Sequence, residues 1–318
     1  MPNNSFLVTG ANAGLGKDVA RQLALRADVE CIYLACRDKV KAQAAQADLQ
    51  RITGRAVFKI LIIDTADLSS VRAALSAIDQ PLHAVLLNAG GTGGPTPMAR
   101  TADGVTTIFA ANVLGHAVLL EGLIDAGLLT STAVLTGSEA ARGVPKLRMK
   151  RPTFATRSVD EFVSVMDGSF FDGRKFDPML AYGQVKYLGA LWMSALARKH
   201  SELRLLTVSP GNTSGTDALR DMGTVPRVIM QRVVMPYVAP MLGLSHPLGV
   251  GAKRLVNALV GGPLPSGTFY ASAANTLTGP VMDQSGIVAD FADAATQDHA
   301  YEAIHRFLDR SRDGATPG

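Results

Sequence analysis

The sequence predicts an α/β fold: a doubly wound parallel sheet with helices on both faces, three layers deep. Three observations carry this. Short apolar runs alternate with stretches of helical period from Ser5 to Val208, the pattern of parallel strands joined by crossover helices. A glycine-rich turn joins the first apolar run to the first helical stretch. The chain has 318 residues, 47% of them hydrophobic, enough to bury one large core.

Taken in order, Ser5-Phe-Leu-Val-Thr9 is a short buried strand, Gly10 to Gly16 a turn, and the stretch to Arg26 a helix. Glu30 to Cys36 is the second strand, and Lys39 to Arg51, rich in Ala, Gln and Lys, a solvent-facing helix. Ala56 to Ile63 is the third strand and Ser69 to Ile78 a helix. Ala84 to Leu87 is the fourth strand, followed by a long helix from Thr101 to Ala126. Thr132 to Thr136 is the fifth strand, Leu180 to Lys199 a helix, and Leu203 to Val208 the sixth strand. Phe269 to Ala271 reads as a last strand and Asp290 to Arg310 as a terminal helix. We expect one domain over 1–318, with no repeat and no linker. Two segments exceed a plain crossover: an insert at 139–179 and a lid at 212–250. Both leave carboxyl ends of strands, where open α/β sheets bind ligands.

The net charge is +4, from 31 basic and 27 acidic residues dispersed along the chain, which does not suggest a nucleic-acid partner. The one basic cluster, Lys146 to Arg151, reads first as a solvated loop. Cys31 and Cys36 are an odd number of residues apart in one strand, so they face opposite sides and do not bridge. The six histidines show no metal-ligand spacing, so no metal is expected. No apolar run reads as a membrane span and no signal peptide precedes the first strand. The expected location is the cytoplasm.

Thr9-Gly-Ala-Asn-Ala-Gly-Leu-Gly16 places glycines at 10, 14 and 16 between a strand and a helix. Glycine permits a tight turn and close backbone approach to a diphosphate, and the helix N-terminus supplies unpaired N–H groups. After the second strand, Arg37 occupies the place where an acidic residue would hold a ribose 2′-hydroxyl. A guanidinium there suits a 2′-phosphate, favouring NADP(H) over NAD(H), with Asp38 keeping NAD(H) as the alternative. Lys17 is a weaker candidate for that phosphate. Asp64 at the end of the third strand suits an adenine amine. Asn88, Ala89 and Gly90 at the end of the fourth suit close approach to a ribose. Tyr182 and Lys186 are four residues apart, so a helix stacks them on one face. A phenol of reference pKa about 10 beside an ammonium is a plausible proton-transfer pair.

These motifs, with Asn112-Val-Leu-Gly115, Ser138 and Pro210-Gly211, resemble the short-chain dehydrogenase/reductase family over residues 5–211. Its Rossmann-type fold agrees with the strand–helix reading. The resemblance implies that Tyr182 is the general acid/base and that Lys186 binds the nicotinamide ribose and lowers the tyrosine pKa. It further implies that Ser138 bonds the reacting oxygen, that Asn112 holds a helix kink and a relay water, and that Pro210 and Gly211 border the nicotinamide. Asn12 and Leu15 belong to the same cofactor turn. The glycine turn, Leu34-Ala-Cys-Arg-Asp38 and the insert look closest to the retinol dehydrogenase and protochlorophyllide reductase-like group. The cysteine that assists the photochemical reductase is absent, since both cysteines lie in the second strand.

The expected activity is interconversion of a carbonyl and an alcohol on an apolar aldehyde, ketone or alcohol. A protochlorophyllide reductase-like double-bond reduction and a non-catalytic NADP(H) sensor or scaffold stay as alternatives. Val144, Pro145, Leu147, Met149, Phe154, Phe162, Val165, Met166, Phe170 and Phe171 in the insert suit either the roof of an apolar pocket, with the lid, or packing on the core or across a subunit interface. The resemblance also implies a homodimer or homotetramer, with Leu188, Leu191, Trp192 and Ala195 as interface candidates. A monomer is the alternative where a long insert blocks association.

Overall fold

The computed structural model describes residues 4–214 and 244–313. Its strands are β1 (Ser5–Thr9), β2 (Cys31–Cys36), β3 (Phe58–Ile62), β4 (Leu82–Leu87), β5 (Leu129–Thr136), β6 (Arg204–Val208), β7 (Thr213–Ser214), β8 (His246–Pro247), β9 (Phe269–Ala271) and β10 (Met282–Asp283). Eight form one sheet in the order β10-β9-β6-β5-β4-β1-β2-β3, while β7 pairs with β8 alone. All neighbours in the large sheet are parallel except β9 and β10. β1 lies between β2 and β4, so the strand order reverses there and opens a crevice above the carboxyl ends of both.

Helices α1 (Gly14–Ala24), α2 (Lys39–Thr53) and α7 (Leu248–Leu259) pack on one face of the sheet. Helices α3 (Leu68–Ser76), α4 (Thr107–Asp125) and α6 (Pro178–Lys199) pack on the other, with α5 (Val159–Asp167) and α8 (Ala294–Asp313) laid against α6. β1 is buried along its length: Phe6 and Val8 enter the first core and Leu7 the second. A strand covered on both faces reads as a continuous apolar run for this reason. Cys31 and Cys36 are free and buried, one in each core.

Several expectations need correction. The long helix begins at Thr107, not Thr101. Gly104 takes φ +82° and Thr101 N–H closes a tight turn onto the Val105 carbonyl at 2.8 Å, a left-handed step that helical period does not reveal. The terminal helix begins at Ala294, because Asp293 accepts from the Thr296 N–H at 3.0 Å and caps its start. Helix α4 has the length and hydropathy of a membrane span, but most of it is buried inside the fold.

The insert is not chiefly a pocket roof. Val144, Phe162, Val165 and Met166 are buried, and Phe162 meets Phe154 edge-on with centroids 5.2 Å apart. Leu147 stays exposed. The interface candidates fall away as well. Leu188, Leu191, Trp192 and Ala195 are all fully buried in the chain's own core, and the Trp192 indole donates to Glu121 at 3.2 Å. Helices α4 and α8 already occupy the faces those residues would offer a second subunit. The central part of the expected lid, 215–243, lies outside the described residues.

Candidate active site

At the end of β1, Gly10 takes φ +67° and Gly14 φ +53°. A Cβ on Gly16 would lie 2.5 Å from the Gly10 carbonyl oxygen, so this turn closes only without a side chain there. Helices α2, α3, α5 and α6 are capped by Asp38, Asp67, Ser158 and Asp177. Helix α1 has Ala13 at its N-cap, no side-chain cap and no acidic residue in its first turn. Its first N–H groups and dipole are thus left for an anion, which fits a dinucleotide diphosphate. Asn12 is partly exposed in the turn, and Leu15 packs partly buried against the core beneath.

Arg37 is exposed at the end of β2 and has no hydrogen-bond or ion-pair partner among the described residues. Asp38 beside it accepts from the Lys41 N–H at 3.0 Å and caps α2. Lys17 is engaged with Asp48 at 2.6 Å, so Arg37 is the better placed of the two cations. Asp64 follows β3 and accepts from the Ala66 N–H at 2.9 Å. At the end of β4, the N–H groups of Asn88 and Ala89 donate to the Thr9 hydroxyl at 2.7 and 2.9 Å, and Asn88 Nδ2 donates to the Thr9 carbonyl at 3.0 Å. The loops after β1 and β4 are therefore one bonded unit.

The Asn112 motif has a local explanation. Residues Ala110–Leu114 form a π turn inside α4. Asn112 Nδ2 donates to the Gly91 and Ile108 carbonyls at 2.9 and 2.8 Å, and Oδ1 accepts from Gly91 N–H at 3.1 Å. A Cβ on Gly90 would lie 2.3 Å from Oδ1, and one on Gly115 would lie 1.9 Å from the Thr65 carbonyl oxygen. The Asn112 carbonyl accepts from His116 Nδ1 at 3.1 Å, so His116 Nε2 accepts from the Thr9 hydroxyl, also at 3.1 Å. Burial pushes the His116 imidazole down to about 3, which keeps it neutral; the Asn112 carbonyl opposes the shift and Lys186 adds to it.

Ser138 follows β5 and accepts from the Ala140 N–H at 3.2 Å. Its hydroxyl lies beside the Tyr182 phenol and favours the phenolate. Lys186, one turn beyond Tyr182 on α6, is buried and donates from Nζ to the Thr136 carbonyl at 3.0 Å. Nζ is 5.7 Å from the Tyr182 ring centre. Burial pushes Lys186 down to about 8. Burial also pushes Tyr182 up to about 12, with Ser138 opposing and the Glu139 carboxylate adding. Desolvation of the phenolate sets the direction of this shift. Pro210 and Gly211 follow β6, where Gly211 takes φ +76° and the Pro210 carbonyl is 2.7 Å from His246 Nε2. No cluster of metal-ligating side chains occurs among the described residues.

The KR domain family model matches residues 4–142, a stretch carrying the glycine turn, Asn88, Asn112 and Ser138. Retinol dehydrogenase 11 of Mus musculus is 37% identical over 128 residues, which are 39% of this chain and 39% of that relative. Through these matches this chain is similar to the short-chain dehydrogenase/reductase family over its amino-terminal half. The aligned part spans well under half of the retinol dehydrogenase. Short-chain dehydrogenase/reductase bet4 of Neocamarosporium betae is 29% identical over 261 residues, 76% of this chain and 72% of that one. A short chain dehydrogenase from Burkholderia cenocepacia J2315, solved in complex with NADP, superposes with TM-score 0.58 at 21% identity, covering 87% of this chain and 98% of that chain.

Sequence reasoning missed part of this site. Glu139 is 3% exposed and accepts from Ser209 Oγ at 2.6 Å and Ser272 N–H at 3.1 Å. Arg142 is 1% exposed and donates to the carbonyls of Gly143, Ser272, Ala273 and Thr276. The available signal was two charged residues in the small-residue stretch Gly137-Ser-Glu-Ala-Ala-Arg-Gly143. Their partners lie far along the chain, and local pattern does not point to them.

Proposed function

We propose that this protein is an NADP(H)-dependent oxidoreductase that interconverts a carbonyl and an alcohol on a small apolar substrate. The observation that carries the reading is the placing of Ser138 beside Tyr182, with Lys186 one turn away and 5.7 Å from the centre of the phenol ring, at the sheet edge that bears the uncapped α1 turn. A bound nicotinamide dinucleotide supplies or accepts the hydride. In reduction, Ser138 and Tyr182 donate hydrogen bonds to the carbonyl oxygen and stabilise charge developing there. Tyr182 then gives its proton to that oxygen, so the carbonyl gains one hydride and one proton and leaves as the alcohol. Lys186 supplies positive charge beside the phenolate that remains. The high pKa of Tyr182 keeps it protonated at neutral pH, ready to act as the acid.

Arg37 supports the preference for NADP(H), being an exposed guanidinium without a partner among the described residues. The Burkholderia relative, solved with NADP, accords with this choice. The reading is tested by following oxidation of NADPH and NADH over a panel of apolar aldehydes and ketones. Turnover with NADPH at well above the NADH rate is expected. Tight NADPH binding without oxidation across the panel would favour the sensor reading instead.

A further inference from the structure

Ser138 and the residues bordering the nicotinamide position sit on neighbouring strand ends, and one buried side chain joins them. Glu139 directly follows Ser138. One of its oxygens accepts from Ser209 Oγ at 2.6 Å, and the other from Ser272 N–H at 3.1 Å. Ser209 Oγ in turn accepts from Gly211 N–H at 3.0 Å. The carboxylate thus reaches, through one hydroxyl, the glycine whose φ of +76° shapes the turn after β6. We propose that Glu139 is a positioning residue: its carboxylate fixes the Ser138 turn against the Ser209–Gly211 turn and sets the electrostatic surroundings of the Tyr182 phenol. The proposal rests on the functional reading above.

The cluster is asymmetric in charge. Among the described residues, Tyr182 faces Lys186 from its own helix and Glu139 from the end of β5. Glu139 is approached by Arg142 beyond the Ser138 turn, Arg254 on α7 and His246 on β8, while Arg151 faces Arg142. Arg254 donates to the Ser209 carbonyl at 3.4 Å and to Ser272 Oγ at 3.2 Å. The Glu139 charge raises the phenol's pKa, on top of burial. Removing it would leave the Arg142 and Arg254 guanidiniums uncompensated, which also favours phenolate. Both changes act in the same direction.

The test titrates the phenol by ultraviolet difference between each protein and the same protein carrying Tyr182→Phe, which needs no substrate. Glu139→Gln should move the Tyr182 ionisation down by about one pH unit. Glu139→Asp keeps the charge and should leave the titration near wild type while weakening NADPH binding several-fold. Ser209→Ala cuts the tether and should do the same. An unshifted titration in a folded Glu139→Gln protein overturns the electrostatic role. Unchanged NADPH affinity in Ser209→Ala overturns the positioning role. If Glu139→Gln does not fold, Glu139→Asp and Ser209→Ala still decide: a titration that moves in them as much as the binding does contradicts the proposal. Turnover surviving Tyr182→Phe would sink the functional reading but leave the titration interpretable.

Discussion

The side-chain amide of Asn112 is bonded in both directions to the backbone of Gly91: Nδ2 donates to its carbonyl at 2.9 Å and Oδ1 accepts from its N–H at 3.1 Å. This pair ties the π turn of α4 to the loop after β4. Asn112→Ala would leave three backbone groups around the site without partners, those of Gly91 and the Ile108 carbonyl. We expect a loss of about 3 kcal/mol in urea unfolding, since an orphaned buried group costs about 1–3 kcal/mol and the partly buried Gly91 recovers some of its share from water.

Two glycines of the cofactor turn make opposite predictions. Gly14 has φ +53° and open space where a Cβ would go, so Gly14→Ala should cost only the left-handed strain, about 1–2 kcal/mol. In Gly16→Ala the new Cβ would lie 2.5 Å from the Gly10 carbonyl oxygen, and the turn itself must shift. NADPH fluorescence titration should show a far larger loss of affinity for Gly16→Ala than for Gly14→Ala.

Under the proposed reading, Arg37 should separate the two cofactors. Arg37→Ala should raise the Kd for NADPH about tenfold or more and leave that for NADH within about twofold, a charged hydrogen-bonded contact being worth about 1.5–3 kcal/mol. Equal weakening of both, measured side by side, would remove the 2′-phosphate assignment.

Lys186 gives stability a pH signature. Burial lowers its folded-state value from 10.5 to about 8. Between those values the unfolded chain binds more protons than the folded one, so this group makes stability rise with pH across the window. Below about pH 8 the buried ammonium is a cost of roughly 3 kcal/mol. Lys186→Met should therefore gain on wild type at pH 7 and lose that advantage progressively up to pH 10.5. The comparison between the two proteins cancels Cys36 and Tyr33, whose raised values pull stability down at alkaline pH. A difference that stays flat with pH would show that Lys186 is not desolvated as described.

The legible parts of this molecule are those whose cause is local. Ser5–Thr9 is apolar throughout because both faces are covered, and Gly10 and Gly16 are required by contacts within a short turn and with Asn88. Tyr182 and Lys186 share a helix face through their spacing alone. What sequence did not give was set by distant chain. Leu188 and Trp192 suggested an interface, but α8, more than a hundred residues away, lies over that helix. Glu139 carries no local signal, because its partners Ser209 and Ser272 lie far along the chain. The pKa of Tyr182 depends on burial, a tertiary quantity that spacing does not reveal.

The central claim is that Tyr182 is the proton donor at an NADPH-linked carbonyl site. It is tested most directly by comparing wild type with Tyr182→Phe for single-turnover NADPH oxidation on an active carbonyl, with NADPH Kd measured in parallel. The account predicts a fall in rate of about a hundredfold to ten-thousandfold with Kd changed less than about threefold. A Tyr182→Phe protein that turns over at a rate close to wild type would contradict it.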